Sequence, residues 1–247
     1  MDKPETWYVR ASQLGALMSK GRGKVEWGQT ANQSILDAVL FNKYGVEKSL
    51  QSKYLDKGII NEPQALRMLV KKMGWDLDPD SLEKNRLFND YLTGEPDLLV
   101  DDERGQILAD VKCSFDAGTF PWMVDLTDLK KHNATYWYQM QAYMFLSGVH
   151  KSVLAYCLTD TPSHMINDEV QRRTYKAVVY PENADRSMDL IEDEIREQAT
   201  KQMTFSQIPD SQKIRIFEVE YDPEAIDQII ERITEARKKY AGLFNTI

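Results

Sequence analysis

The sequence predicts an α/β fold in a single domain, and three observations carry the prediction. Two short apolar flanks of strand type, Gly94-Glu95-Pro96-Asp97-Leu98-Leu99-Val100 and Ile107-Leu108-Ala109-Asp110-Val111-Lys112, enclose a charged turn over residues 101–106 that holds Asp, Arg and Gly, the pattern of a β-hairpin. Val153-Leu154-Ala155-Tyr156-Cys157-Leu158 is a continuous apolar run, as expected of a central strand covered on both faces. Before, between and after these strands, apolar residues recur at helical spacing.

Taken in order, Trp7-Tyr8-Val9 is a short apolar opening, and residues 13–18 read as a helix with Ser12 as N-cap. Ser19-Lys20-Gly21-Arg22-Gly23-Lys24 is a basic loop, equally a solvated turn or a phosphate contact whose glycines let backbone N–H groups approach. Ile35, Val39, Leu40 and Tyr44 set a helix over residues 30–44, closed by Gly45. A second runs over residues 52–73, with a kink or restart expected at Pro63, which cannot donate to the preceding turn. Asn89-Asp90 marks a turn between Leu87-Phe88 and Tyr91-Leu92. Beyond Lys112, Cys113 to Gly118 reads as a loop, and residues 120–124 as an aromatic segment of about one helical turn. Residues 135–146 form an aromatic helix ended by Gly148, with Gln139 and Tyr143 on one face. Residues 174–180 alternate as a further strand, and residues 187–203 and 223–243 are amphipathic helices rich in Glu, Arg and Lys.

A chain of 247 residues with 42% apolar content can bury a full core. It holds no apolar run long enough for a membrane span, and residues 1–5 lack the apolar segment of a signal peptide. Two cysteines are too few for a disulfide framework, which points to a reducing, cytoplasmic setting. No Cys/His cluster has zinc spacing, and no GxxxxGK[ST] loop supports an ATP motor. The net charge of −8 weighs against a general affinity for nucleic acid, so any such contact must be a local basic footprint, for which Arg10, Lys20, Arg22 and Lys24 are the candidates.

Chemistry concentrates in the hairpin. Asp97 at the start of one strand and Asp110 near the end of the next lie roughly opposite each other, and Lys112, two residues past Asp110, points to the same face. Hard oxygen ligands of this kind suit Mg²⁺ or Mn²⁺, and a lysine beside them can position a water. Most acid–lysine pairs on hairpins are solvated salt bridges. Asp110, however, lies within an apolar run, where an unpaired carboxylate is costly to bury.

Glu62 on the helix of residues 52–73, Pro96-Asp97, Asp110-Val111-Lys112 and Gln139-xxx-Tyr143 form an ordered set that resembles the PD-(D/E)xK nuclease superfamily, and within its RecB-like branch the YqaJ and phage lambda exonuclease group. The likeness covers roughly residues 10–158. It implies a restriction-endonuclease-like core, a mixed sheet flanked by helices, in one nuclease domain over residues 1–247, with a core of about 10–180 and helical additions at 183–247. It implies one or two Mg²⁺ or Mn²⁺ ions on Asp97, Asp110, the Val111 carbonyl and Glu62, with Lys112 activating the attacking water, Gln139 holding the site or the scissile nucleotide and Tyr143 packing beneath. Asp110 stands where the lambda exonuclease group carries Glu, which bears on metal geometry. Arg10 and Ser12 fall where that group binds a terminal 5′-phosphate. The implied activity is a 5′-to-3′ exonuclease on duplex DNA ends, phage-type and working in the bacterial cytoplasm. Implied partners are DNA, a ring of copies (a trimer in the resembling enzymes) with the basic loop facing its channel, and a single-strand annealing protein. A structure- or site-specific endonuclease and a silent binding module remain as alternatives.

Overall fold

The computed structural model describes residues 6–23, 26–47, 52–81, 84–103, 105–180 and 185–247. Three short strands, β1 (Val9–Arg10), β2 (Leu87–Phe88) and β3 (Leu92–Gly94), form a small sheet in the order β1-β3-β2. The Asn89 side chain caps the β2–β3 turn by accepting from the N–H groups of Tyr91 and Leu92, each at 2.9 Å. The main sheet has the order β4 (Leu98–Asp102), β5 (Gly105–Ser114), β6 (Lys151–Leu158) and β7 (Ile214–Glu220). Its pairs are antiparallel, parallel and antiparallel in turn, so the sheet is mixed.

Eight helices surround these sheets among the described residues: α1 (Ala11–Leu17), α2 (Gln29–Tyr44), α3 (Lys53–Met73), α4 (Leu129–His132), α5 (Ala134–Ser147), α6 (Ser163–Val178), α7 (Met188–Met203) and α8 (Pro223–Thr246). Side chains alternate along a strand, and β6 uses both sides. Its Leu154, Tyr156 and Leu158 enter an apolar layer with α1, α2, α5 and α8, whereas Val153, Ala155 and Cys157 enter a second layer under α3. The second layer is closed by Ala65, Leu66, Leu69 and Val70, whose spacing is one helical stripe.

Several local expectations are corrected. Ser12 is not an N-cap, because Ala11 is already helical; Arg10 holds the cap position without a side-chain bond. α3 runs through Pro63 without restarting. The bond lost at Pro63 belongs to the carbonyl of Ile59, a strongly exposed residue, so water can replace it. Gly94 belongs to the small sheet, so the first flank of the hairpin is divided between two sheets. Cys113 and Ser114 continue β5, where they pair with Cys157 and Leu158. Residues 120–124 form turns, not a helical turn.

The strand expected at residues 174–180 is the end of α6. Val170 and Thr174, four apart, are buried and continue a helical stripe that the shorter alternating window hides. The sheet's fourth strand lies instead at β7, in a stretch expected to be helical additions, and it buries Ile214, Phe217 and Val219.

α6 and α7 pack on each other as an arm between β6 and β7. Its base is closed by the Thr161 N–H donating to the Met203 carbonyl at 2.8 Å and the Phe205 N–H donating to Asp160 Oδ1 at 2.7 Å. α8 ties the ends of the chain together. Arg237 donates to the carbonyls of Trp7 and Asp90, and buried Arg232 donates to those of Leu17, Ser19 and Glu26 while lying 3.4 Å from the Trp27 ring centroid. The Arg232→Ala variant removes three charge-assisted bonds and a stacked cation. It should lose about 2–3 kcal/mol of stability in urea unfolding and show faster amide exchange over residues 19–23.

Candidate active site

The β4–β5 ladder fixes where the acids point. Leu98 pairs with Ala109 and Val100 with Ile107, and all four face α3 in the second apolar layer. One step along, Asp97 and Asp110 therefore point to the other side, toward α5. Lys112 shares that face. Val111 packs under α3, but its backbone N–H turns to the site and donates to Asp97 Oδ2 at 2.8 Å.

Asp110 is 2% exposed, and its Oδ2 lies 2.6 Å from Lys112 Nζ. Lys112 is the partner shown for this buried oxygen, which has no further hydrogen bond. Burial pushes the Asp110 carboxyl up to about 6; Lys112 pulls it back down, and nearby Asp97 raises it. Burial acts against the charged form of Lys112, but Asp110 outweighs it and holds the ammonium above its ordinary range. Lys112 also lies over the Tyr136 ring, 5.0 Å from its centroid.

Glu62 reaches the site from α3 through a residue that carries no motif. Lys84 Nζ lies 2.5 Å from Glu62 Oε1 and 2.7 Å from Asp97 Oδ1, joining helix to strand. Burial alone would lower the Lys84 pKa; the two carboxylates raise it overall. Its neighbours Pro79, Asp80 and Ser81 form a turn pinned to α3 by Arg67 Nη1 on Asp80 Oδ2 at 2.6 Å. Sequence reasoning missed Lys84 because its partners lie 22 and 13 residues away. Two cations thus alternate with three acids, and among the described residues no three acids, histidines or cysteines cluster as an all-protein metal cage.

Gln139 and Tyr143 are buried on α5, with Gln139 Nε2 donating to the Tyr143 hydroxyl at 2.9 Å. Tyr143 feels the charges of Asp110 and Lys112; burial first, then Asp110, pushes its phenol up to about 12. The ring also fits against Gly94: a Cβ there would stand 2.8 Å from the Tyr143 ring.

The structure therefore brings Glu62, Asp97, Asp110, Val111 and Lys112 together, with Gln139 and Tyr143 beside them. Arg10 pairs with Thr93 across β1 and β3. It lines a cleft of about 1300 Å³ bounded by β1, α1, α2 and the start of α3, with Tyr8, Phe41 and Thr93 and three carboxylates, Asp37, Glu47 and Asp56. Ser12, Lys20 and Arg22 are exposed and do not line that cleft, and Lys24 lies outside the described residues.

The raised Asp110 pKa has a defined sign. The folded carboxyl binds its proton more tightly than an unfolded one at 3.8, so this group favours folding below that value. The contribution is lost as pH rises through about 6. Carboxyl-carbon NMR in EDTA should show Asp110 titrating near 6, and Lys112→Met should move that midpoint higher, because the lysine stabilises the ionised form.

No protein-family profile and no curated protein matches the sequence. Among solved structures, the chain is similar to a phage-related exonuclease from Haemophilus somnus 129PT, with 25% identity and a TM-score of 0.69 over 98% of this chain and 97% of that one. It is also similar to the alkaline exonuclease LHK-Exo from Laribacter hongkongensis, with 13% identity and a TM-score of 0.59 over 97% and 90% of the two chains. The same enzyme in complex with dAMP gives a TM-score of 0.57.

Proposed function

We propose that this chain, whose fold is that of the PD-(D/E)xK nucleases in their phage-exonuclease form, is a metal-dependent nuclease that hydrolyses phosphodiester bonds from the ends of duplex DNA. The observation that carries the reading is the opposition of Asp97 and Asp110 across one ladder, with Lys112 on the same face and paired with a buried Asp110. That donor set fits a hard divalent cation: Asp97, Asp110 and the Val111 carbonyl supply oxygen, and the buried Asp110 carboxylate, paired with Lys112, is an oxygen ligand a cation would engage. A Mg²⁺ or Mn²⁺ ion held there would lower the pKa of a bound water and neutralise charge on the phosphate.

The chain's own groups do the rest. Val111 N–H fixes Asp97 through Oδ2 and so orients the carboxylate before substrate arrives. Lys112, kept charged by Asp110, offers donors to an attacking water and to the charge that develops on phosphorus oxygens. Tyr143, seated against Gly94, orients Gln139 at the edge of the site, where its amide can meet the scissile nucleotide. Arg10 is the cation of its cleft, which also carries Asp37, Glu47 and Asp56; a terminal 5′-phosphate held by Arg10 would give 5′-to-3′ polarity. Lys20 and Arg22, on the loop that Arg232 holds, supply further phosphate contacts. A ring of copies would turn such contacts into processive digestion.

Asp97→Asn and Asp110→Asn should each lower Mg²⁺-dependent cleavage on the order of 10³-fold with unchanged circular dichroism. Near-normal turnover in either folded variant would remove the site assignment. Lys112→Ala should lower kcat on the order of 10²–10³-fold while metal affinity stays within a few-fold, since the lysine acts mainly in the transition state. Linear duplex should be degraded in Mg²⁺ while covalently closed circles remain intact; nicking of circles would establish the endonuclease alternative.

A further inference from the structure

Residues 115–128 connect β5 to α4, and they leave β5 from the end that carries Asp110 and Lys112. Phe120 enters the apolar layer shared with α5, and Ala117, Val124 and Leu126 pack against it. Asp97, Asp110 and Lys112 point to that same side of the sheet, so the loop stands on the face and at the strand end where the acids stand. Its apolar exposure is concentrated in two neighbours, Trp122 at 39% and Met123 at 98%. The indole is held in place. Trp122 Nε1 donates to the Ala117 carbonyl at 2.7 Å, and the ring meets Phe120 in a T-shaped contact with centroids 4.7 Å apart. The loop around it is shaped by its own carboxylates. Asp116 accepts from the Thr119 N–H, Asp125 from the Thr127 N–H and hydroxyl, and Asp128 from the Lys131 N–H. A large ring fixed in this way loses little freedom when a partner meets it.

Charge selects which part of a nucleic acid this loop can meet. Residues 115–128 hold Asp116, Asp125 and Asp128 and neither Lys nor Arg, so they do not attract phosphate. What they offer is a ring face and a polarizable thioether, the groups on which a base stacks. A base inside a duplex has both faces covered by its neighbours, whereas an unpaired base at an end has a face to spare. We infer that Trp122, with Met123 beside it, is a stacking platform for an unpaired base at the DNA end. The inference deepens the nuclease reading above and rests on it. Stacking is blind to sequence, because every base has a π-face, and it would steady the strand without adding a charge beside the acids.

The test uses the full chain in Ca²⁺ and a duplex whose ends carry a few unpaired nucleotides, read by fluorescence anisotropy. Trp122→Leu should bind this DNA roughly 10-fold more weakly, and Trp122→Phe should restore most of the loss. The dependence of affinity on salt should stay the same in all three proteins, since no phosphate contact is removed. Abasic sites in place of the unpaired bases should erase the difference between wild type and Trp122→Leu. With 5-iodouracil at those positions, irradiation should place the adduct on Trp122 or Met123. Unchanged affinity in Trp122→Leu, a flattened salt slope, or an adduct elsewhere would overturn the inference. So would a lower mass of Trp122→Leu in light scattering, which would assign the ring to a contact between copies. In each of these cases, Mg²⁺-dependent cleavage of linear duplex by wild type leaves the nuclease reading standing; a wild type that neither binds nor cleaves DNA would overturn both. Should Trp122→Leu fail to fold, Met123→Ala, at a side chain almost wholly in water, and the abasic DNA on wild type decide: equal binding in both comparisons would overturn the inference.

Discussion

The site depends on the register between β4 and β5. Leu98 opposes Ala109 and Val100 opposes Ile107, which commits one face of the hairpin to the apolar layer under α3 and the other to α5. A slip of one residue would drive Asp110 and Lys112 into that apolar layer and turn Val111 out of it. Burying an ion pair among Leu66, Leu69 and Val70, with no further donors, would cost several kcal/mol. The turn helps to enforce the choice: Gly105 has a φ of +99°, a backbone region that side chains rarely tolerate, and it pairs with Asp102. The hydrogen bond from Val111 N–H to Asp97 Oδ2 then extends the ladder by one side-chain step, so the same constraint that fixes the fold also aims the first acid.

Charge balance is the second constraint, and it explains how acids from three segments tolerate proximity. Asp110 is answered by Lys112 from its own strand, whereas Glu62 and Asp97 share Lys84 from the segment leading to the small sheet. Each lysine is held in its charged form by the carboxylates it touches. The two groups differ in their acids, since Asp110 is almost enclosed and Glu62 is open to water, while both lysines are partly exposed. Removing Lys112 would strand the buried Asp110 charge, whereas Glu62 can turn to water if Lys84 is lost.

The hairpin, the central β6 strand and the aromatic α5 helix were legible in the sequence because their patterns are local: period two, an unbroken apolar run, and a helical stripe ended by a glycine. Asp97, Asp110 and Lys112 could be placed on one face from spacing alone. Lys84 could not, because its role arises from the docking of α3 beside the start of β4, which no local pattern encodes. Residues 174–180 misled for the opposite reason: a short alternating window is compatible with either period, and the buried Val170–Thr174 spacing decided for helix. The β7 strand, Ile214–Glu220, does alternate, but it lies between two strongly amphipathic helices whose signal is larger. Pro63 was a sound reason to expect a break that burial elsewhere along α3 overrides.

The α6–α7 arm leaves the sheet after β6 and returns before β7 through a base closed by two backbone N–H groups, those of Thr161 and Phe205. Since its exit and re-entry are stitched together, the distance between β6 and β7 does not depend on how far the arm extends. Its length can drift in descendants of this chain, and a foreign segment can be spliced at its tip, while the neighbouring strands keep their spacing. The tip is also where Tyr175, Val179, Met188 and Leu190 face water. Novelty in what this molecule touches can thus accumulate on the arm without renegotiating the chemistry carried by the hairpin.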